Sequence, residues 1–285
     1  MGKKLRVKDT RVKAINTLSA FLISLLFFIS TSIIILSYTV LSPRHIIIVL
    51  GKRDFYKNSY YELCEQLELI AEPAGIDPDV LIQTTDSDKL KKDIDNYIAA
   101  SFKQSVFSLD TDRIEAEYFN ALSAYAKNQG YTVDGELAEN LRNIANAVAE
   151  KYLQHVRLPL IDIVGALSAS FKKYLAVVLI FSLVLIFTLT CCVFIINHWR
   201  HRAMRVFIQS IISSGIMLSA LPAFVLILGK YKHINILSGG LYLFVLGYIE
   251  SILKLFICSG ILALLLGVLL MLTAYRKMYR RALSH

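Results

Sequence analysis

Four stretches of this sequence carry no charged residue, over residues 14–41, 174–197, 206–228 and 255–275, and they restrict the possible folds more than any other feature. Their lengths of 28, 24, 23 and 21 residues each reach the ~20 residues a helix needs to cross a hydrocarbon core of about 30 Å. A soluble domain of 285 residues does not sustain such blocks, nor a mean hydropathy of +0.54. The pattern predicts an all-α membrane protein. It should have four transmembrane helices, with a helical-bundle ectodomain between helices 1 and 2.

The charged residues orient these spans. Lys3, Lys4, Arg6, Lys8, Arg11 and Lys13 precede the first span, Arg200, Arg202 and Arg205 separate the second from the third, and Arg276, Lys277, Arg280 and Arg281 follow the fourth. These 13 basic residues face a single acid, Asp9, whereas residues 42–173 hold 15 basic and 20 acidic residues. Lys and Arg beside short loops stay in the cytoplasm. The expected order is therefore a cytoplasmic basic tail (1–13), helix 1 (14–41), an extracellular helical domain (42–173), helix 2 (174–197) and a cytoplasmic turn (198–205). Helix 3 (206–228), an extracellular interfacial segment (229–254), helix 4 (255–275) and a cytoplasmic basic tail (276–285) complete it. The formal charge of +9 is topogenic on this reading and argues against nucleic acid as a partner. The first apolar stretch is far longer than the 7–15 residues of a cleaved signal and reads as an uncleaved signal anchor.

Residues 54–152 read as successive capped helices. Leu63, Leu67 and Ile70 form a stripe ended by Pro73 and Gly75. Asp77 then caps a helix with Pro78 at its first position. Asp86 and Ser87 precede Leu90, Ile94, Tyr97, Ile98 and Phe102, which share one face. Asp112 and Glu115 have capping-box spacing ahead of Ile114, Tyr118, Leu122 and Tyr125, with Gly130 as the stop. A further helix begins near Asp134 and carries Leu137, Leu141, Ile144, Val148 and Tyr152. Residues 46–50 suit either a strand or a continuation of the first helix, and residues 160–197 suit one helix. Residues 240–274 as one straight helix would measure ~52 Å, so residues 229–254 are expected to be interfacial or re-entrant. Glu250 and Lys254 would then pair at the boundary.

Little in the chain points to catalysis. The four apolar cores hold no Asp, Glu, Lys, Arg or His, which argues against a proton-coupled pump or ion pathway and against intramembrane proteolysis. Cys191, Cys192, His198 and His201 lie near the inner boundary, but their spacing is that of an interface turn rather than a metal site. Cys64 is the sole cysteine of residues 42–173, so no disulfide forms within that segment. The aspartate pairs at 77/79, 86/88, 93/95 and 110/112 lack the glycine and glutamate of a calcium loop, and three of the pairs sit at helix starts. No P-loop, G-x-S-x-G, H-E-x-x-H or G-x-G-x-x-G occurs. No cofactor is expected. Trp199, Tyr38, Tyr174, Tyr231 and Tyr275 read as an aromatic belt.

Two ladders of small residues, Gly215, Ser219 and Ala223 on helix 3 and Ser259, Ala263 and Gly267 on helix 4, are candidate helix-packing positions. Leu158, Ile163 and Leu167 before helix 2, with Leu241 and Phe244 of the interfacial segment, are the candidate partner-binding surface, since pairing them would remove both apolar runs from water.

Phe55, Tyr56, Tyr60 and Tyr61 open the helical domain, and the turn of Gly75, Ile76, Asp77 and Pro78 follows. With one span before the domain and three after it, the chain resembles an uncharacterised four-span membrane protein family of Gram-positive bacteria. The resemblance implies a bacterial plasma membrane and no particular activity. The one-plus-three order is also similar to membrane subunits of the cell-division and macrolide-export transporters, although residues 42–173 lack the mixed strand and helix pattern of that family. The leading expectation is a non-enzymatic membrane protein whose extracellular domain binds a protein partner or envelope component. Membrane lipid and a protein partner or second copy are the expected contacts. The alternative is a permease-like subunit that transmits force from a cytoplasmic ATPase through residues 197–205. An enzyme acting at the lipid interface ranks third.

Overall fold

The computed structural model describes residues 2–105, 109–158, 161–197, 199–233 and 239–278, with the side chains of residues 2–11, 169 and 239 excepted. Among these residues the regular elements are all helical. Helix α1 spans Gly2–Thr39. The chain then breaks at Ser42, which is extended, and Pro43 opens α2 (Pro43–Lys52), where proline is tolerated because the first N–H of a helix has no partner. Residues 46–50, compatible with strand or helix in the sequence, are thus helical but separate from α1. Ile46, Val49 and Leu50 bury one face.

Helix α3 (Phe55–Ala71) buries Phe55, Ser59, Leu63, Cys64, Leu67 and Ala71 at three- and four-residue spacing. It ends in a 3-10 turn at Glu72–Ala74 and in Gly75, whose φ of +67° is open to a residue without Cβ. Helix α4 (Pro78–Thr84) starts as expected, with the Asp77 carboxylate accepting the Asp79 N–H at 3.1 Å. In α5 (Ser87–Lys103) Asp86 accepts from Asp88 N–H at 2.8 Å, and all five apolar residues of the expected face are buried.

The start of α6 (Thr111–Asn128) corrects the sequence reading. The cap is Asp110 rather than Asp112, and its carboxylate accepts the Arg113 N–H at 3.0 Å. Both aspartates have cap chemistry, and the helix begins earlier than the Asp112/Glu115 spacing implied. Gly130 (φ +86°) closes α6, and α7 (Gly135–Val156) follows with Leu141, Val148 and Tyr152 buried. Leu137 and Ile144, expected in the same core, are only half-buried.

Helix α8 (Ile161–Ile196) is continuous over 36 residues. Helix α9 (Arg200–Leu228) accommodates Pro222 in its interior. Residues 229–254, expected to be interfacial or re-entrant, contribute to two described elements. A 3-10 turn covers Lys230–His233, and from Gly239 a single helix α10 (Gly239–Leu270) runs without interruption into a π turn at Met271–Tyr275. At 32 residues α10 is ~48 Å long. Length alone spoke against such a helix, but nothing in 240–254 breaks one: Glu250 and Lys254 satisfy each other at 3.5 Å along its surface.

The helices belong to two compact units, one of residues 1–39, 171–234 and 248–285 and one of residues 40–170 and 235–247. Four helices are long and apolar enough to cross a membrane, within Val12–Thr39, Ser170–Ile196, Arg200–Leu228 and Gly240–Met278. Ile23, Val193, Ala203 and Val206 form the buried centre of the first unit, flanked by Ala20, Phe27 and Leu189. Polar side chains join the spans. Ser210 donates to the Ala20 carbonyl at 3.0 Å, and the Ser30 and Ser182 hydroxyls meet at 2.8 Å.

Asn16 and Asn197 exchange two amide hydrogen bonds, at 2.9 and 2.8 Å, between α1 and the end of α8. In a low-dielectric setting each amide satisfies the other, so removing one strands its partner. Asn16→Leu and Asn197→Leu are each expected to cost about 1–2 kcal/mol, and the double replacement less than their sum. A double-mutant cycle on thermal unfolding in detergent measures this. Strict additivity would show that the amides do not interact.

In the second unit Leu50, Leu63, Leu67, Leu81, Leu90, Ile94, Ile98, Ile114 and Leu122 are fully buried. Tyrosine hydroxyls thread this apolar centre with polar ties. Tyr152 donates to Asp93 at 2.9 Å, Tyr56 donates to Asp95, and Tyr118 meets Thr85 at 2.7 Å. Burial pushes the Tyr118 phenol up to about 12. Burial, with hydrogen bonds to carboxylates, raises Tyr56 and Tyr152 further. The phenols of Tyr56 and Tyr152 act as donors fixing helix against helix, not as acids.

Candidate functional site

Side chains of the second unit gather around open space at the start of α10 and again between α6 and α7. The first place lies where the start of α10 meets α3. Glu62 Oε1 accepts the Gly240 N–H at 3.0 Å, a carboxylate at the positive end of a helix. The Phe55 and Phe244 rings lie 6.1 Å apart. Gly247 makes room for Arg53, since a Cβ there would stand 2.5 Å from its Nε. Beside this contact Phe55, Ser59, Glu62, Gln66, Gln154, His155, Arg157, Leu158 and Leu241 line an open pocket of about 230 Å³.

Of the five residues expected to form a partner-binding surface, Leu158 and Leu241 share this pocket. Leu158 and Phe244 are 6% and 7% exposed, so both are already committed to internal packing. Ile163 and Leu167 are 58% and 49% exposed and do not join them. The reason lies in the phase of α8, which turns Ile161, Gly165 and Ser168 inward. A Cβ at Gly165 would lie 2.5 Å from the Ser101 carbonyl oxygen, and Ser168 donates to the Leu41 carbonyl at 3.3 Å. The five residues therefore do not make one exposed face. Phe55, Asn58 and Glu62, which receive the start of α10, were missed as partners. The aromatic run 55–61 was a usable signal, but Glu62 carries none.

The small-residue ladders also meet differently from their spacing. Gly215 of α9 faces Gly260 of α10: a Cβ at Gly260 would stand 2.7 Å from the Gly215 carbonyl oxygen and 2.9 Å from Ser219 Cβ. Gly267 packs on Ile212, whose Cγ1 would lie 2.5 Å from a Cβ at that glycine. Ala223, Ser259 and Ala263 are half-buried, and Gly260 takes the place expected of Ser259. All four cysteines are free, Cys64 buried and Cys191, Cys192 and Cys258 exposed. Burial pushes the Cys64 thiol up, which suppresses its reactivity. Among the described residues no group of three or more His, Cys, Asp or Glu converges as a metal site, and His198 lies outside them.

The second place is a groove of about 560 Å³ where α6 and α7 meet the turn at residues 74–76. Its floor is aliphatic, made by Ile76, Leu122, Leu137, Leu141 and Ile144. Tyr125 and Tyr131 also line it, and the exposed residues Gln129, Asn140 and Asn143 make its rim. Leu137, Asn140, Leu141 and Ile144 follow i, i+3, i+4, i+7 and so share a face of α7. The half-burial of Leu137 and Ile144 follows from this opening. No lining residue is charged, in a segment with 35 charged side chains. The volume falls within the 300–1,000 Å³ typical of ligand clefts.

Fold and site together define a class, that of helical proteins with four helices able to cross a membrane. No protein-family model, curated protein or solved structure matches the chain.

Proposed function

We propose that this is a non-enzymatic, multi-pass protein of a bacterial plasma membrane whose helical domain lies outside the cell and binds a protein partner or envelope component. The carrying observation is the α6–α7 groove, an uncharged cleft with an aliphatic floor and an amide rim. Such a lining suits binding and offers no acid and base to move a proton. The 13-to-1 excess of basic over acidic residues in the two tails and the 198–205 turn supports cytoplasmic termini with residues 42–173 outside, where they would form a helical-bundle ectodomain.

Two labels test this in intact cells. A cysteine at Asn128 should react with an impermeant maleimide while tags at both termini stay protected from external protease; loss of the N-terminal tag would reverse the topology. A photo-reactive residue at Tyr131, which is 65% exposed, should give a discrete adduct that a control at exposed Lys92 does not. Adducts at neither position would remove the binding reading.

A second reading, a permease-like subunit of an ATP-driven or mechanotransmission complex, draws on the unbroken courses of α8 and α10, each longer than a hydrocarbon core requires. Co-purification of an ATPase that depends on the 197–205 turn would favour it over the first.

A further inference from the structure

The lining of the α6–α7 groove is specific enough to name the chemistry of its occupant. Primary amides carry both donors and an acceptor, so Gln129, Asn140 and Asn143 can pair with either side of a peptide group. Leu122, Leu137, Leu141 and Ile144 form a floor that gains from an aliphatic side chain at about 25 cal/mol per Å² covered. The same floor penalises a charged group, which would lose its hydration with no counter-charge among the lining residues. A sugar would find the two tyrosines but would set its hydroxyls against leucine and isoleucine.

We infer that this groove binds an uncharged peptide segment, with one aliphatic side chain seated between α6 and α7 and its peptide groups paired with the rim amides. The inference rests on the proposed function, that this unit binds a partner. The electroneutral groove in an otherwise charged segment selects against charged sequences. Tyr131, largely exposed, covers the bound residue from the side.

The test uses the full chain in nanodiscs and N-acetylated, C-amidated pentapeptides of Gly, Asn and Thr with a central Leu or Ile. Such peptides should bind, and a central Ser, Lys or Asp should weaken binding at least about tenfold. Asn140 and Asn143 are exposed, so N140A/N143A should fold normally. Loss of two hydrogen bonds at about 0.5–1.5 kcal/mol each should weaken the peptide roughly 5- to 150-fold. I144K places a charge in the floor and should abolish binding, with an unchanged melting temperature confirming the fold. Equal binding of Lys or Asp peptides, or indifference to N140A/N143A, would overturn the inference. So would binding of a neutral oligosaccharide that the same substitutions abolish. If no peptide binds while Tyr131 still gives its adduct in cells, the ligand class is wrong and the partner-binding reading stands. If both fail, both fall.

Discussion

Replacing Gly260 by valine should lower the melting temperature in detergent by several degrees, although the change adds only three carbons in an apolar helix. A Cβ at this position would sit 2.7 Å from the Gly215 carbonyl oxygen and 2.9 Å from both the backbone nitrogen and Cβ of Ser219. Two of these obstacles are main-chain atoms of α9, which cannot turn aside as a flexible side chain would. Relief requires α9 and α10 to separate, and that also opens the contact of Gly267 on Ile212. Overpacking costs typically 1–3 kcal/mol when side chains can adjust, and a backbone contact belongs at or above the upper end. The expected cost of about 3 kcal/mol is a large share of a marginal stability. Ala263→Val, at a half-buried position on the same helix, serves as the control. Thermal unfolding followed by size-exclusion chromatography measures both. A G260V protein melting within a degree or two of the parent would show that α9 and α10 do not approach as described.

A disulfide should form between cysteines placed at Asn58 and Gly240. A Cβ built on Gly240 lies 3.4 Å from Asn58 Cβ, just below the ~3.5–4.5 Å of natural disulfides. Its other neighbours, Glu62 Oε1 at 3.4 Å and Phe55 Cδ2 at 3.8 Å, are ordinary contacts, so the substitution itself is tolerated. In a background where the four native cysteines are serine, mild oxidation should protect nearly all the N58C/G240C protein from a polyethylene-glycol maleimide. The reduced protein should take two labels. The pair Leu241→Cys with Leu167→Cys, which the bare sequence favoured, should remain fully reactive. Cross-linking of the second pair but not the first would mean that α10 begins against α8 rather than α3.

These two experiments fall on different sides of what the amino-acid order makes legible. The four spans, the capped starts at Asp77 and Asp86 and the single face of Leu90, Ile94, Tyr97, Ile98 and Phe102 could all be read in advance. They depend on free energies local to a turn or a window: desolvation of an unbroken apolar run, a carboxylate beside unpaired N–H groups, and a 3.6-residue period. Even here, two adjacent candidates with the same chemistry, Asp110 and Asp112, left the start of α6 open. Only its geometry chose the first.

What tertiary structure decided lies at longer range. Glu62 meets Gly240 across 178 residues, Asn16 meets Asn197 across 181, and Gly260 rather than Ser259 touches Gly215. One residue along a helix is a rotation of about 100°, so small-residue spacing identifies a close approach but not its phase. The candidate site followed the same rule. Leu137 and Ile144 carried a core pattern indistinguishable from that of Leu141 and Val148. Their exposure as the floor of a groove depends on how far α7 stands from α6 and from the turn at Gly75, and no local sequence window contains that distance. Periodicity and capping specify elements one at a time, whereas an opening between elements is set by the sum of all the contacts that hold them apart.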